Sequence, residues 1–364
     1  MKRFSSANTD IPGKGILVCQ CHDRETRFSR IHAQYPLKFI PTKAYADRLA
    51  VVYMLSYGGG VVSGDMFDVV IEIESQAILM LLTQGNTKIF KDRIQQQKWM
   101  ASLAQTTQPL LGFSTLIPSN LIKAEAEAAA TTAAAATAEK EKTFVNPDDV
   151  KVSQQHITAA VAPLGTLIIL PDPVTSFRDS SFQSKQTFRL EDSSSQLVLL
   201  DWFTSGRQTR ENWCFRHYMS HIDVWVGKRM VLRDRLVLED EEYMRKDGSE
   251  ETSYASRLKP YTCFATLIII SADPTTVSDP LPLKQSIDFL QEKAEQVRML
   301  PNSMHSPEDR SILWSTSPLL GGRGVLVRIS GMTTEQVRDF VKNECLGDGL
   351  KGIIGEGMFK KVLA

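Results

Sequence analysis

Short runs of β-branched and large apolar residues, each ended by Gly, Pro, Asp or Ser, recur along the chain. They cover residues 51–57 ahead of three glycines, then 67–74, 77–83, 166–170, 197–200, 221–226, 266–270 and 324–329. That spacing predicts many short strands. Regular helical segments do not alternate with them, which argues against a βαβ sheet. The expected fold is all-β, β-helix-like or of layered sheets, with two α-helices towards the C-terminal part. One helix is expected over 283–300, where Ile287, Leu290, Ala294 and Val297 form one apolar stripe. The other is expected over 333–344, where Thr-Thr-Glu-Gln offers an N-cap and first turn before Val337, Phe340 and Val341. No internal repeat is evident, although the runs starting at Leu167 and Leu267 share a strand-then-Asp-Pro ending.

Residues 123–142 break the pattern with an Ala/Glu/Thr tract that lacks large apolar side chains. Alanine favours helix there, but nothing in the tract can drive packing. It is expected as an insertion, helical or loop-like, within a single domain spanning 15–364, because strand patterning resumes after it. The 364 residues are 42% hydrophobic and 23% charged, enough for a sizeable core. Lys plus Arg and Asp plus Glu both number 42, so the formal charge is zero. That balance argues against a nucleic-acid binder and against a polybasic membrane-surface protein. No apolar run approaches a membrane span, residues 1–8 do not read as a secretory signal, and five scattered cysteines make no disulfide framework. A cytoplasmic protein is expected. Zero charge together with aromatic residues near strand ends, such as Trp202, Phe203, Trp213 and Phe215, predicts self-association of the isolated chain.

Several strand ends carry candidate chemistry. Residues 57–65 read Tyr-Gly-Gly-Gly-Val-Val-Ser-Gly-Asp, placing Gly58, Gly59, Gly60 and Gly64 close together with Asp65 as the one ionisable group of the loop. The Lys-Ser/Thr of a phosphate-binding loop is missing and a strand follows, so a tight strand connection is the simpler reading. A second glycine turn, Gln-Gly-Asn-Thr-Lys over 84–88, brings Lys88, either a solvated turn lysine or a partner for an acidic group or anion. Residues 170–180 set Asp172 between two prolines and continue to Asp179, and residues 200–207 run from Leu200-Asp201-Trp202 to Gly206-Arg207. Cys19, Cys21 and His22 lack a second ligand pair at zinc spacing, and His217 and His221 lie in a period-2 pattern that makes them strand residues.

Taken in order, residues 35–38, 52–65, 82–88, 170–180, 200–207 and 325–338 resemble the urease accessory protein D family (UreD, also UreH). The Leu-Asp-Trp-Phe-Thr-Ser-Gly-Arg wording is similar to the fungal branch. Ser63 departs from the family's usual glycine, and Arg210-Glu211-Asn212 departs from its Arg-Gly-Glu, so no role carries over to Glu211. The resemblance implies an all-β fold with two helices and a non-enzymatic scaffold or chaperone in urease maturation. It implies as partners the urease apoprotein, the F-type accessory protein and, through it, the G-type accessory GTPase, with nickel delivered to urease through an internal passage. No GTPase motif occurs in this chain.

A passage must attract Ni²⁺ yet release it, which favours isolated carboxylates and water over a His/Cys cage. Asp65, Asp172, Asp179 and Asp201 have the right chemistry as candidate transient nickel ligands, and no tightly bound cofactor is expected. As ordinary turn formers they would have no such role. Two competing readings are a β-fold hydrolase with Asp65 and Asp172 as an acid/base pair, and an interaction protein that never touches metal.

Overall fold

Strand patterning of the kind found over 78–82, apolar at every position, requires burial on both faces, and the fold supplies it. The computed structural model describes residues 11–42, 48–91, 152–207, 210–241, 252–277, 281–299 and 311–364. These belong to one compact unit; residues 92–151, which include the Ala/Glu tract, fall outside the described residues.

The strands run β1 (Lys14–His22), β2 (Glu25–Ala33), β3 (Leu37–Thr42), β4 (Leu49–Ser56), β5 (Met66–Ile73), β6 (Ile78–Thr83), β7 (Thr87–Ile89), β8 (Ser153–Val161), β9 (Thr166–Leu170) and β10 (Val174–Ser176). They continue with β11 (Ser181–Leu190), β12 (Gln196–Thr204), β13 (His217–Val226), β14 (Arg229–Glu239), β15 (Cys263–Ile270), β16 (Ile312–Leu319) and β17 (Gly324–Gly331). Sheet one has the order β14-β13-β11-β8-β5-β1-β2, and sheet two β16-β17-β15-β12-β9-β6-β4-β3, with β7 and β10 attached beside β12.

The centre of each sheet is parallel although no helix makes the crossovers. Instead β5 turns a short corner into β6, β8 into β9 and β11 into β12, so each parallel crossover is a strand of the other sheet. The corners stack. Ser75 Oγ donates to Pro163 O (2.8 Å), Leu164 N to Ser194 Oγ (2.9 Å) and Gln196 N to Gly165 O (2.9 Å). Gln76 and Leu164, each two residues before its sheet-two strand, share a left-handed backbone. The chain therefore does repeat, as coils that each pass from a strand of sheet one to a strand of sheet two, while the residues occupying equivalent places differ.

Two apolar layers result. Leu79, Leu81, Leu167, Ile169, Leu197 and Leu199 point between the sheets with Phe182, Phe188 and Ile157. Their neighbours Met80, Ile168, Val198 and Trp202 point away, under a helical cover. Both faces of the centre of sheet two are thus dry, which is why β6, β9 and the first half of β12 read as apolar runs.

The cover begins with α2 (Pro282–Met299), since a short α1 (Ala255–Leu258) precedes it. Leu283, Ile287 and Leu290 are the buried stripe of α2. A second helical stretch, α3 (Thr334–Asp339), opens with a capping box in which Thr333 and Gln336 exchange hydrogen bonds. It runs on through the π-helical turn Phe340–Leu346 into α4 (Gly347–Ile354) and α5 (Glu356–Phe359). Both expected helices are present, and short α-helical segments accompany them among the described residues. The additional ones are short and packed by their buried residues, such as Leu350, Ile354 and Met358. The strand-end aromatics expected to drive self-association, Trp202, Phe203, Trp213 and Phe215, are all buried. None of the described helices is long and apolar enough to cross a membrane.

Candidate functional site

The glycine loop is shaped by contact with β7. Gly58, Gly59 and Gly64 have positive φ. Gly60 does not, but a Cβ there would lie 2.5 Å from the Lys88 carbonyl oxygen, so only glycine permits the approach. Just beyond it Val61 N donates to Lys88 O (2.8 Å), and Phe90 N donates to Val61 O (3.0 Å). The loop is thus a strand connection that adds one bridge to β7.

The four candidate aspartates separate into two groups. Asp65 accepts the Val62 amide at Oδ2 (2.9 Å) and closes its own turn. Asp172 accepts the Gly85 amide at Oδ2 (2.7 Å), while its own amide donates to Thr83 Oγ1 (2.7 Å). Burial, opposed by the Gly85 bond and by Arg338, leaves its carboxyl above the usual range. Asp179 takes a left-handed backbone in the corner between β10 and β11, and its amide donates to Cys214 O (2.9 Å). All three are corner residues, and Asp65 and Asp172 hold different corners.

Asp201 stands apart. Along β12 the residues facing sheet one are Leu197, Leu199, Asp201 and Phe203, so a carboxylate replaces an apolar side chain in the layer between the sheets. Sheet one meets it with polar groups: Ser220 Oγ on β13 donates to Asp201 Oδ2 (2.5 Å) and Gln186 Nε2 on β11 to Oδ1 (3.3 Å). Burial raises the Asp201 carboxyl above its ordinary pKa, the nearby Asp234 charge adds to this, and the two hydrogen bonds oppose it. Tyr218, buried beside this carboxylate, has its phenol pushed well up, first by burial and then by Asp201. The hydroxyls of Tyr218 and Ser184 have no hydrogen-bond partner among the described residues. Arg328, in the same cross-strand row as Asp201 through Thr266, reaches across to Asp234 on β14 and links the two sheets.

This polar seam through an otherwise apolar layer was only partly anticipated. The sequence singles out Asp201 but not Gln186, Tyr218, Ser220, Asp234 or Arg328. A signal existed in β11, where Ser184 and Gln186 interrupt the inward series from Phe182 to Phe188. Reading it required knowing which face of the strand is buried.

The remaining candidates have other roles. Cys19 is buried as a small apolar residue, its thiol pushed up to about 12 by burial, and His22 is exposed beside Asp23. His217 faces Gln183 (3.4 Å), and burial lowers its pKa. His221 contacts Asp223 (3.0 Å), whose carboxyl is held low first by the Arg233 hydrogen bond. Among the described residues no group of three or more His, Cys, Asp or Glu could hold a metal ion. Glu211, to which no role was carried over, is buried and paired with Arg207 (2.8 Å) and Arg178 (3.8 Å).

The sequence model of the UreD urease accessory protein family matches residues 12–109 and 121–345. Urease accessory protein 4 of Cryptococcus neoformans is 26% identical over 364 residues, covering 97% of this chain and 95% of that protein. Urease accessory protein D of Arabidopsis thaliana is 26% identical over 86% of this chain and 88% of its own length. Urease accessory protein UreD of Sorangium cellulosum is 25% identical over 96% and 84%. With most of its length matched by the family model, this chain belongs to the UreD urease accessory protein family.

Proposed function

We propose that this chain is a non-enzymatic maturation factor for urease. In this reading it binds the urease apoprotein and the F-type accessory protein, is joined through the latter to the G-type GTPase, and passes Ni²⁺ along the polar seam between its sheets. The observation that carries the reading is Asp201, a buried carboxylate in an apolar layer that faces the neutral donors Ser220 and Gln186 and lies among hydroxyls unpartnered among the described residues. A buried carboxylate attracts a divalent cation, and without a His or Cys cage among the described residues the ion stays exchangeable. Tyr218, Ser184, Ser220 and Gln186 would coordinate or bridge water around the moving ion. Asp65, Asp172 and Asp179 are better suited to shaping the corners. The hydrolase alternative gains no support, since Asp65 and Asp172 are each engaged by a separate turn.

The test compares nickel per urease active site, at limiting nickel, after activation with wild-type protein, with Asp201→Asn and with the Asp65→Ala, Asp172→Ala double variant. Asp201→Asn is expected to assemble with both partners in a pull-down while nickel loading falls several-fold, and the double variant to fall less. Full loading by Asp201→Asn would remove the seam from the nickel route. Failure of the wild-type chain to bind either partner would sink the scaffold reading itself.

A further inference from the structure

The polar seam has an outer end. On the inner face of sheet two, Asp201 stands in register with Thr266, Thr266 with Arg328 and Arg328 with Ser315. One polar row therefore crosses β12, β15, β17 and the edge strand β16. Accessibility rises along it: Asp201 and Thr266 keep a minor part of their surface accessible, whereas Arg328 and Ser315 are exposed. Leu313 and Ser317, beside Ser315 on the same face of β16, are exposed as well. Sheet one ends at β14, so the layer between the sheets opens where β14 faces the last strands of sheet two.

Arg328 stands in that opening. Opposite it, Asp234 lies between Leu232 and Leu236 on β14, a carboxylate among leucines as Asp201 is on β12. Arg328 Nη2 donates to Asp234 Oδ1, and no other side chain among the described residues donates to that carboxylate. The arginine side chain is 51% exposed and the aspartate side chain 11%. Ion pairs with one partner in water are weak, because solvent stabilises the cation almost as well as its partner does. The anion is thus fixed in the layer, and its cation is held loosely from the solvent side. Further in, Asp234 is near enough to Asp201 for the two charges to oppose each other. Beside Asp201 stands the buried Tyr218, and Ser184 is in register with Ser220. Both of these buried hydroxyls lack a hydrogen-bond partner among the described residues.

We propose that Asp234 is the landing site for a divalent cation entering the seam, and that Arg328 is the tethered cation which that ion displaces. The swap replaces one cation by another, so the rim carboxylate is never left buried and unpaired. No proton moves: the guanidinium stays charged throughout and turns out to solvent. The next carboxylate inward is Asp201, with hydroxyl and amide oxygens around it. A cation is the ligand this arrangement suits, since the carboxylate already holds one and no described His or Cys cage would trap its successor. The proposal deepens the seam reading and rests on it for the cargo. Its assay reads cation binding by this chain alone, apart from any result on urease activation.

The assay titrates full-length protein with nickel chloride by calorimetry. Arg328→Gln removes the competing charge and is expected to bind one ion about tenfold more tightly than wild type, the scale of one charge-assisted contact. Arg328→Met repeats the test with a different neutral side chain, and melting temperatures show that each variant is folded. Arg328→Lys keeps the charge and is expected to bind as wild type does. Adding Asp234→Asn to Arg328→Gln is expected to abolish the gain. Adding Asp201→Asn instead is expected to preserve most of it, because Asp201 lies inward of the landing site. Lys284→Gln frees the exposed Asp288 on α2 and is expected to change nothing, which separates the rim from any unpaired surface carboxylate. Unchanged affinity in both neutral variants, an equal gain in Arg328→Lys or Lys284→Gln, or a gain that survives Asp234→Asn would overturn the proposal. So would a gain that Asp201→Asn removes, since the ion would then be landing deeper. Full urease loading by Asp201→Asn would sink the seam as a route yet leave a gain in Arg328→Gln standing, so the two failures are distinct.

Discussion

At the scale of the residue, Asp201 illustrates a conflict between stability and use. Its carboxyl is raised by burial first, so the folded protein holds that proton more tightly than the unfolded chain, where aspartate titrates near about 3.9. The sign follows from linkage: the folded state is favoured relative to the unfolded at low pH, and that advantage is lost as pH rises from about 4 through the raised value. Above it an ionised group sits in a dry layer. Asp201→Asn keeps an acceptor for Ser220 and removes the charge, so its melting temperature is expected to exceed wild type at pH 7 to 8. The gap is expected to close as pH falls towards 4. Thermal melts across that range check it, and a variant less stable at pH 7 would mean that the Ser220 and Gln186 bonds outweigh desolvation. A residue that costs stability where it stands fits the reading of Asp201 as a functional position.

At the scale of the element, what the sequence revealed depended on how local the determining interaction was. The strand β6 was legible because burial on both faces makes five successive positions, 78–82, apolar. The helix α2 was legible because Leu283, Ile287 and Leu290 fall on one face, and α3 because Thr333 and Gln336 cap within four residues of each other. The pairing of β5 with β8 was not legible, since parallel register between strands 80 or more residues apart is set by stacked corners and not by either strand alone. The helices α1, α4 and α5 escaped because elements this short take their stability from packing and leave little periodicity to read. The seam was half visible: an Asp among leucines is conspicuous in β12, but the other seam residues lie on four other strands. The same register bears on the insertion. The β5–β8 ladder is complete from Met66 to Ile73, and Ser153 Oγ donates to Val62 O (3.1 Å), so residues flanking 92–151 close the coil themselves. Deleting 123–142 is therefore expected to change stability by less than about 1 kcal/mol, because shortening a long connection alters closure entropy only slowly. Denaturant melts measure this, and urease activation in the deletion strain is expected to persist. A large loss of either would show that the tract does more than connect.

At the scale of the whole molecule, the expectation of self-association survives only with a different cause. The buried aromatics Trp202, Phe203, Trp213 and Phe215 cannot contribute, because they pack between the sheets or under the helices. Exposed apolar surface is found instead around the glycine loop, where Ile11, Tyr35, Tyr57 and Met66 are all exposed. They lie close together: the Tyr35 and Tyr57 rings are 5.5 Å apart, Gly13 N donates to Tyr35 O, and the Met66 carbonyl abuts Gly13. Contiguous apolar side chains favour association, and a formal charge of zero supplies little long-range repulsion against it. Light scattering of the purified chain is expected to show mass rising with concentration near neutral pH. The Tyr35→Ser, Met66→Ser double variant is expected to reduce that rise while its stability changes by no more than about 1 kcal/mol, since both side chains are exposed and fill no core space. A wild-type chain that stays monomeric at high concentration would remove the premise. A double variant that associates as strongly as wild type would place the contact elsewhere on the surface.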